Sequence, residues 1–456
     1  MSRTSRLSGM RGDVPGESWP PLASTRTAPL VAFLHQLELT QWLPTEEIAA
    51  GQYRQLVAVA GHCSRHSPRF RARLREAGLE PTDLASPQGL AALPPLTRQQ
   101  AQAKDPPIFC SATPPVHGRT FTVGTSGSTG EPVFVKRTAV NSLHWLAMAM
   151  RHHFWAEPDF SGGICAIRAN LKTLGRSGSW GPPLSQFFET GPGYGIDIQA
   201  DIADQLAQLA HFAPTSLVAY PSNLVALLDE MDAQGIDLPS LRRVRTVGET
   251  LAGSVRQRVV ERTGAAVFDC YSSEEFGYIA LQCPDNGDLY HLMSETLIVE
   301  VVDEEGKPCG DGEAGRLLVT DIHNHATPMI RYAIGDYAEA GPPCPCGRGL
   351  PTLRRILGRE RNMIVNPDGT RHWPLTGYAR FRDIAPISQY QMRQHAPDRI
   401  EMRLVVERPL TGEEEKNLLA HVGKAMGHPF TIELAYFEGP LPKGANGKFE
   451  EFMRLF

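Results

Sequence analysis

Between Ser216 and Tyr271 the chain alternates short apolar runs with longer amphipathic ones, and that rhythm restricts its architecture more than any other feature. "SLVAY" is followed by Pro221 and a helical "SNLVALLDEMDAQG", "RVRTVG" by a helical "LAGSVRQRVVERTG", and then comes "AAVFDCY". The short runs predict strands and the intervening periodicity predicts helices. Strand–helix–strand–helix–strand is the pattern of right-handed crossovers, and so of a parallel sheet in an α/β fold. Such sheets bind ligands at the carboxyl ends of their strands. Here those ends are Tyr220–Ser222, Gly248–Thr250 and Tyr271–Glu275.

The 456 residues are enough for about two to four domains. A net charge of −5 gives no reason to expect a nucleic-acid or membrane partner, and no apolar run is long enough to span a bilayer. Residues 1–26 are rich in Ser, Arg, Pro and Gly without an apolar stretch, which reads as a frayed tail rather than a signal peptide and places the chain in the cytoplasm. Residues 46–78 predict a helix, and "AVNSLHWLAMAMRHHFW" a second, entered through a cap at Asn141. From Leu289, "LIVEVVD" and "GRLLVTDI" predict a β-rich subdomain completing a large N-terminal domain over 27–357. "RIEMRLVVE", "TGEEEKNLLAHVGKAMG" and "FTIELAYFE" predict a small C-terminal α+β lobe over 358–456.

"TVGTSGSTGEP", residues 122–132, suits a phosphate. Gly127 and Gly130 let backbone N–H groups approach an anion, and Thr125, Ser126, Ser128 and Thr129 add hydroxyl donors. The spacing is not that of a Walker A loop, and a flexible Gly/Ser linker is the competing reading. The eight cysteines do not form a disulfide scaffold, and Cys63, Cys110, Cys165, Cys270 and Cys309 read as inert thiols. Cys283, His291, Cys344 and Cys346 make a Cys₃His set for a closed structural zinc site, with two turns bearing free thiols as the alternative. No basic stripe surrounds them, which argues against a nucleic-acid zinc ribbon.

The order of six segments resembles the adenylate-forming superfamily of acyl- and aryl-CoA ligases, luciferases and nonribosomal adenylation domains. "TSGSTGEP" resembles its phosphate loop. "YSSEEFG" resembles its Y-G-x-[ST]-E segment, which implies that Tyr271 packs on adenine and Glu275 contacts Mg²⁺. Gly248–Glu249 resembles the adenine-side turn. "RYAIGD" implies Asp336 on the ribose hydroxyls, "LGRER" implies Arg359 near the ribose, and "LPKGANGKFEEF" implies Lys448 as the catalytic lysine. Lys136 is a rival that reads more simply as strand surface. "LPPLTRQQ", "PMIRYAIGD" and "CPCGRGLPTLRRILGR" resemble the phenylacetate–CoA ligase-like branch, and the likeness spans nearly all the chain beyond the tail. Three positions depart from the pattern: Ser272 replaces a usual Gly, Glu274 a usual Thr or Ser, and Arg361–Asn362 an acidic hinge pair.

The resemblance implies ATP- and Mg²⁺-dependent activation of a small carboxylic acid, aryl by branch, to an acyl-adenylate with release of pyrophosphate. The acyl group then passes to a thiol, CoA by the same branch. It also implies a mobile small lobe and a homodimer. Two other readings stay open: delivery of the adenylate to an amine or carrier protein, and an inactive nucleotide- or zinc-binding protein. Retention of Lys448, Glu275 and Asp336 together argues against the last.

Overall fold

The computed structural model describes residues 9–17, 19–125, 131–157, 159–168, 171, 174–372, 381, 384–426, 428–439, 441–442, 449 and 451–456. A twelve-stranded sheet forms the frame. Its parallel half holds Ala266–Ser273, Arg243–Thr246, Ser216–Ala219, Ile164–Arg168 and Gly193–Asp197 as successive neighbours. Helices Pro221–Gln234 and Gly253–Thr263 make the expected crossovers, each ended by a glycine at positive φ, Gly235 and Gly264. All four residues of Ser216–Ala219 are buried, because helices cover both faces of a parallel sheet.

At Ala266–Ser273 the sheet changes character. Gly277–Gln282 pairs with it antiparallel, and the frame continues through Tyr290–Leu292, Thr352–Arg359, Tyr332–Gly341, Ala314–Asp321 and Leu297–Val302. This is the expected β-rich region, joined to the parallel half as one sheet. A separate four-stranded sheet, ordered Thr431–Tyr436, Arg399–Val406, Ile387–Ala396 and Phe452–Arg454, lies in the C-terminal segment. The face that carries Met392, Met402 and Leu404 packs with Leu418 and Val422 of helix Gly412–Met426.

Three expectations are corrected. From Gly9 onward the N-terminal segment is docked, not frayed. Arg11 donates its backbone N–H to Phe187 O at 2.6 Å, Met10 is buried, and Asp13 accepts from Ser24 N, Ser24 Oγ and Thr27 Oγ1. The helix read over 46–78 is two, Thr45–His66 and Pro68–Glu76. Ser67 is extended, as a residue before proline tends to be, and its hydroxyl caps the second helix by accepting from Phe70 N. Helix Ala139–Ala156 is capped by Thr138, while Asn141 is the third helical residue and bonds back to Thr138 N at 2.9 Å.

That helix is locked to the β-rich region by Arg151. Its guanidinium meets Glu295 at 2.8 and 2.9 Å and donates to Leu37 O. Burial pushes the Glu295 carboxyl up, but the guanidinium outweighs it and holds the group below its usual range. Arg151→Met would leave Glu295 buried without a counter-charge, held only by hydrogen bonds such as that from Thr40 Oγ1. The expected cost is about 3–5 kcal/mol, read as a lower guanidinium unfolding midpoint.

Candidate active site

The carboxyl ends of the parallel strands and the adjoining hairpin bring four of the singled-out residues together. Tyr271 lies near the end of Ala266–Ser273, and its hydroxyl donates to Asp336 Oδ2 at 2.6 Å. Asp336 sits opposite Arg359 on the neighbouring strand, with Arg359 Nε 3.5 Å from its Oδ1. Burial, then the Asp336 carboxylate, push the Tyr271 phenol well above its usual range, so it stays a donor. Glu275 occupies the turn after the strand and is buried. Burial raises its carboxyl, an effect partly offset by its own backbone amide, by Arg359 and by Ser273. The cluster therefore holds two carboxylates, with the half-exposed Arg359 guanidinium against Asp336 and the Arg137 guanidinium near Glu275.

The neighbouring strand end supplies a second contact set. Gly248 has φ +77°, the left-handed region that suits glycine, and the turn it makes presents Glu249. Glu249 accepts from Ser222 N at 2.9 Å and Ser222 Oγ at 3.0 Å, which joins two strand ends. It also accepts from Phe449 N at 3.0 Å. A carboxylate of the large sheet thus holds the C-terminal segment at the residue after Lys448. Nearby, Glu451 accepts from Tyr390 Oη at 2.8 Å.

The base of the glycine-rich loop is a hairpin, Thr120–Gly124 against Phe134–Thr138. Thr125 closes it, donating its N–H to Val133 O and accepting from Val133 N at Oγ1, each at 3.0 Å. Thr327 then ties the hairpin to the β-rich region through Lys136 N and Lys136 O. The Lys136 ammonium lies 4.6 Å from the Phe109 ring, consistent with a strand-surface role. Ser126, Gly127, Ser128, Thr129, Gly130 and Lys448 lie outside the described residues. Arg137 was not singled out by sequence, yet its guanidinium donates to Glu274 O at 2.6 Å beside the cluster. No spacing signals it, because the contact spans 137 residues.

The Cys₃His set assembles away from this cluster. The ligand atoms of Cys283, His291, Cys344 and Cys346 all lie within 4.8 Å of one another. Cys344 and Cys283 sulfurs are 3.7 Å apart, and Cys346 Sγ is 3.3 Å from His291 Nε2. With zinc–sulfur bonds of about 2.3 Å, a tetrahedron has sulfur–sulfur edges of about 3.8 Å. His291 Nδ1, 3.1 Å from Leu350 O, donates to that carbonyl and leaves Nε2 as the ligand atom. Burial pushes the Cys283 thiol up to about 12. Burial would raise Cys346 too, but the N–H and guanidinium of Arg348 outweigh it and hold that thiol below its usual value.

A family model described as AMP-binding enzyme matches residues 121–324, which span the hairpin, the parallel strands and the Tyr271–Glu275 turn. Over that span the chain is similar to the AMP-binding enzymes. It is 26% identical over 354 residues to the phenylacetate-coenzyme A ligase of Escherichia coli (strain K12), covering 72% of this chain and 75% of that one. A phenylacetate-coenzyme A ligase of Thermus thermophilus is 25% identical over 422 residues, 85% of this chain and 87% of its own. The structure of 2-hydroxyisobutyryl-CoA ligase with 2-HIB-AMP, in the postadenylation state, superposes with a TM-score of 0.72 at 21% identity over 90% of each chain. That superposition assigns the fold of an adenylate-forming enzyme, large domain and C-terminal lobe included. Among the described residues no helix is long and apolar enough to cross a membrane.

Proposed function

We propose that this AMP-forming ligase activates a small carboxylic acid with ATP, releases pyrophosphate and passes the acyl group to CoA. The observation that carries the reading is the Tyr271–Asp336–Arg359 chain of contacts beside buried Glu275, at strand ends where such sheets bind ligands. In this reading the amides and hydroxyls of Thr125–Gly130 cradle the phosphates, Asp336 and Arg359 meet the ribose, and Tyr271 and Gly248–Glu249 border the adenine. Glu275 holds Mg²⁺, whose chemistry is to neutralise phosphate charge. Lys448 places a cation where the acid's carboxylate meets the α-phosphate.

Support for CoA as acceptor comes from the relatives, each a CoA ligase by name. Delivery to an amine or carrier protein is the competing outcome, favoured only by Arg361–Asn362 at the hinge position. The deciding experiment measures acid-dependent ATP–pyrophosphate exchange over a panel of aryl and aliphatic acids, then thioester formation with CoA. Exchange without thioester would move the acceptor to another nucleophile. No exchange with any acid would sink the reading.

The pH dependence follows from Glu275. Its folded pKa is raised above the ordinary 4.5, chiefly by burial. Without metal, the folded chain binds this proton more tightly than the unfolded one, so stability falls as pH rises through that interval. Activity runs the other way, because the metal needs the carboxylate. The acid limb of the exchange rate should therefore lie above pH 4.5, and a tenfold increase in Mg²⁺ should move it to lower pH. A limb that ignores Mg²⁺ would remove Glu275 from the metal site.

A further inference from the structure

The strand Ala266–Ser273 is where the sheet turns from parallel to antiparallel. On one edge it pairs in parallel with Arg243–Thr246, a register that ends with Thr246 opposite Asp269. On the other edge its antiparallel pairing with Gly277–Gln282 starts at Cys270. This junction lies two residues before the candidate site on both strands, since Thr246 precedes Gly248 and Asp269 precedes Tyr271 by that spacing. Residues two apart on a strand share a face, so Asp269 and Tyr271 leave the sheet on the same side.

Asp269 is buried, and its side chain ties three strands together. Oδ1 accepts from Thr246 Oγ1 on one neighbouring strand, and Oδ2 accepts from Tyr290 Oη at 2.9 Å, two strands away on the other side. Its backbone N–H donates to Gln282 Oε1 at 2.7 Å, which also accepts from Arg256 Nη2 at 3.1 Å. Burial pushes the Asp269 carboxyl up to about 6, against the bonds from Thr246 and Tyr290 and the charge of Arg256. Burial, then Asp269 itself, raise the Cys270 thiol to about 12 and drive the Tyr290 phenol further up, so both stay protonated. Within this network Asp269 is the group that changes charge near neutral pH. As a carboxylate it accepts from both hydroxyls. Once protonated, one oxygen becomes a donor, and the hydroxyl facing it has to turn away from donating.

We propose that Asp269 is a positioning residue for the nucleotide: its carboxylate clamps the strand ends that carry Gly248 and Tyr271 and sets the gap between them. It acts through its two hydroxyl partners, not by contact with the nucleotide. The proposal rests on the reading above for the assignment of Gly248–Glu249 and Tyr271 to the adenine.

The test measures adenosine affinity without Mg²⁺ by ligand-observed NMR, from about pH 5 to about pH 8. Adenosine carries no phosphate to titrate, and without metal the measurement is separate from the acid limb expected of Glu275. Wild type should lose affinity about threefold to tenfold as pH falls through about 6, the size of one hydrogen bond. Asp269→Asn keeps the shape but offers a single acceptor oxygen. It should bind at the wild type's low-pH level and show no step. Thr246→Val removes a bond that holds the carboxyl down, so its step should move to higher pH, a displacement that a purely structural role would not produce. Should Asp269→Asn not fold, the Thr246→Val displacement decides. A flat wild-type profile, a step that persists in Asp269→Asn, or one that Thr246→Val leaves in place would each overturn the proposal and leave the ligase reading standing. Wild type that binds no adenosine at any pH would sink the adenine assignment, and the proposal with it.

Discussion

Lys448→Ala is expected to lower acid-dependent ATP–pyrophosphate exchange by about 10²–10³-fold, the loss usual for one preorganised group at a developing charge. The glycine-rich loop contains no lysine, so a cation at the α-phosphate has to come from elsewhere in the chain. Phe449, the next residue, gives its N–H to Glu249, and Glu249 also holds Ser222. The carboxylate thus connects the C-terminal segment to two strand ends of the large sheet. If Lys448 acts mainly on the transition state, kcat should fall while KM for ATP moves little. Lys448→Arg should not restore the rate, because a planar fork does not reproduce a compact ammonium. Glu249→Ala should show a milder form of the same defect, since it removes the anchor and leaves the charge. A Lys448→Ala enzyme with near-normal kcat would transfer the role to another cation, and Arg137 beside Glu274 would be the first to substitute.

The parallel half was legible because its signals are local. Each strand is a short apolar run, each crossover helix has its own periodicity, and Gly235 and Gly264 mark the helix ends. Tyr271, Asp336 and Arg359 could be named through resemblance, but their meeting depends on strand order. The short strand Tyr290–Leu292 inserts between Gly277–Gln282 and Thr352–Arg359, an arrangement no periodicity encodes. The helix starts failed for a different reason. Thr138 and Asn141 cap each other reciprocally, so either residue alone satisfies the sequence rule. The N-terminal segment was misjudged because polar, proline-rich composition says nothing of the three hydroxyl and amide donors that Asp13 gathers. The contact of His144 with His323 was invisible for the same reason as that of Arg137: the two rings come from positions 144 and 323.

The Cys₃His set yields the second large effect. Purified protein should contain close to one zinc per chain, and Cys283→Ser should lose it. Strong chelation should lower the unfolding temperature by about 10 °C or more, because metal binding energy is folding energy when the ligands are assembled only in the fold. The effect should not stay local. Cys283 and His291 bracket the turn between Gly277–Gln282 and Tyr290–Leu292, and Cys344 and Cys346 lie in the turn between Tyr332–Gly341 and Thr352–Arg359. Those last two strands carry Asp336 and Arg359 at the opposite end of their pairing. A cation held among the four ligands would fix the register of that hairpin, and with it the separation of the two residues assigned to the ribose. Zinc removal should therefore weaken ATP binding as well as lower stability. The metal dependence has its own pH signature: burial raises the Cys283 thiol to about 12, so binding must expel its proton and affinity should fall steeply as pH drops. Metal-free protein of unchanged stability would show that the four side chains are only thiols and an imidazole packed between two turns, and the coupling to Asp336 and Arg359 would fall with it.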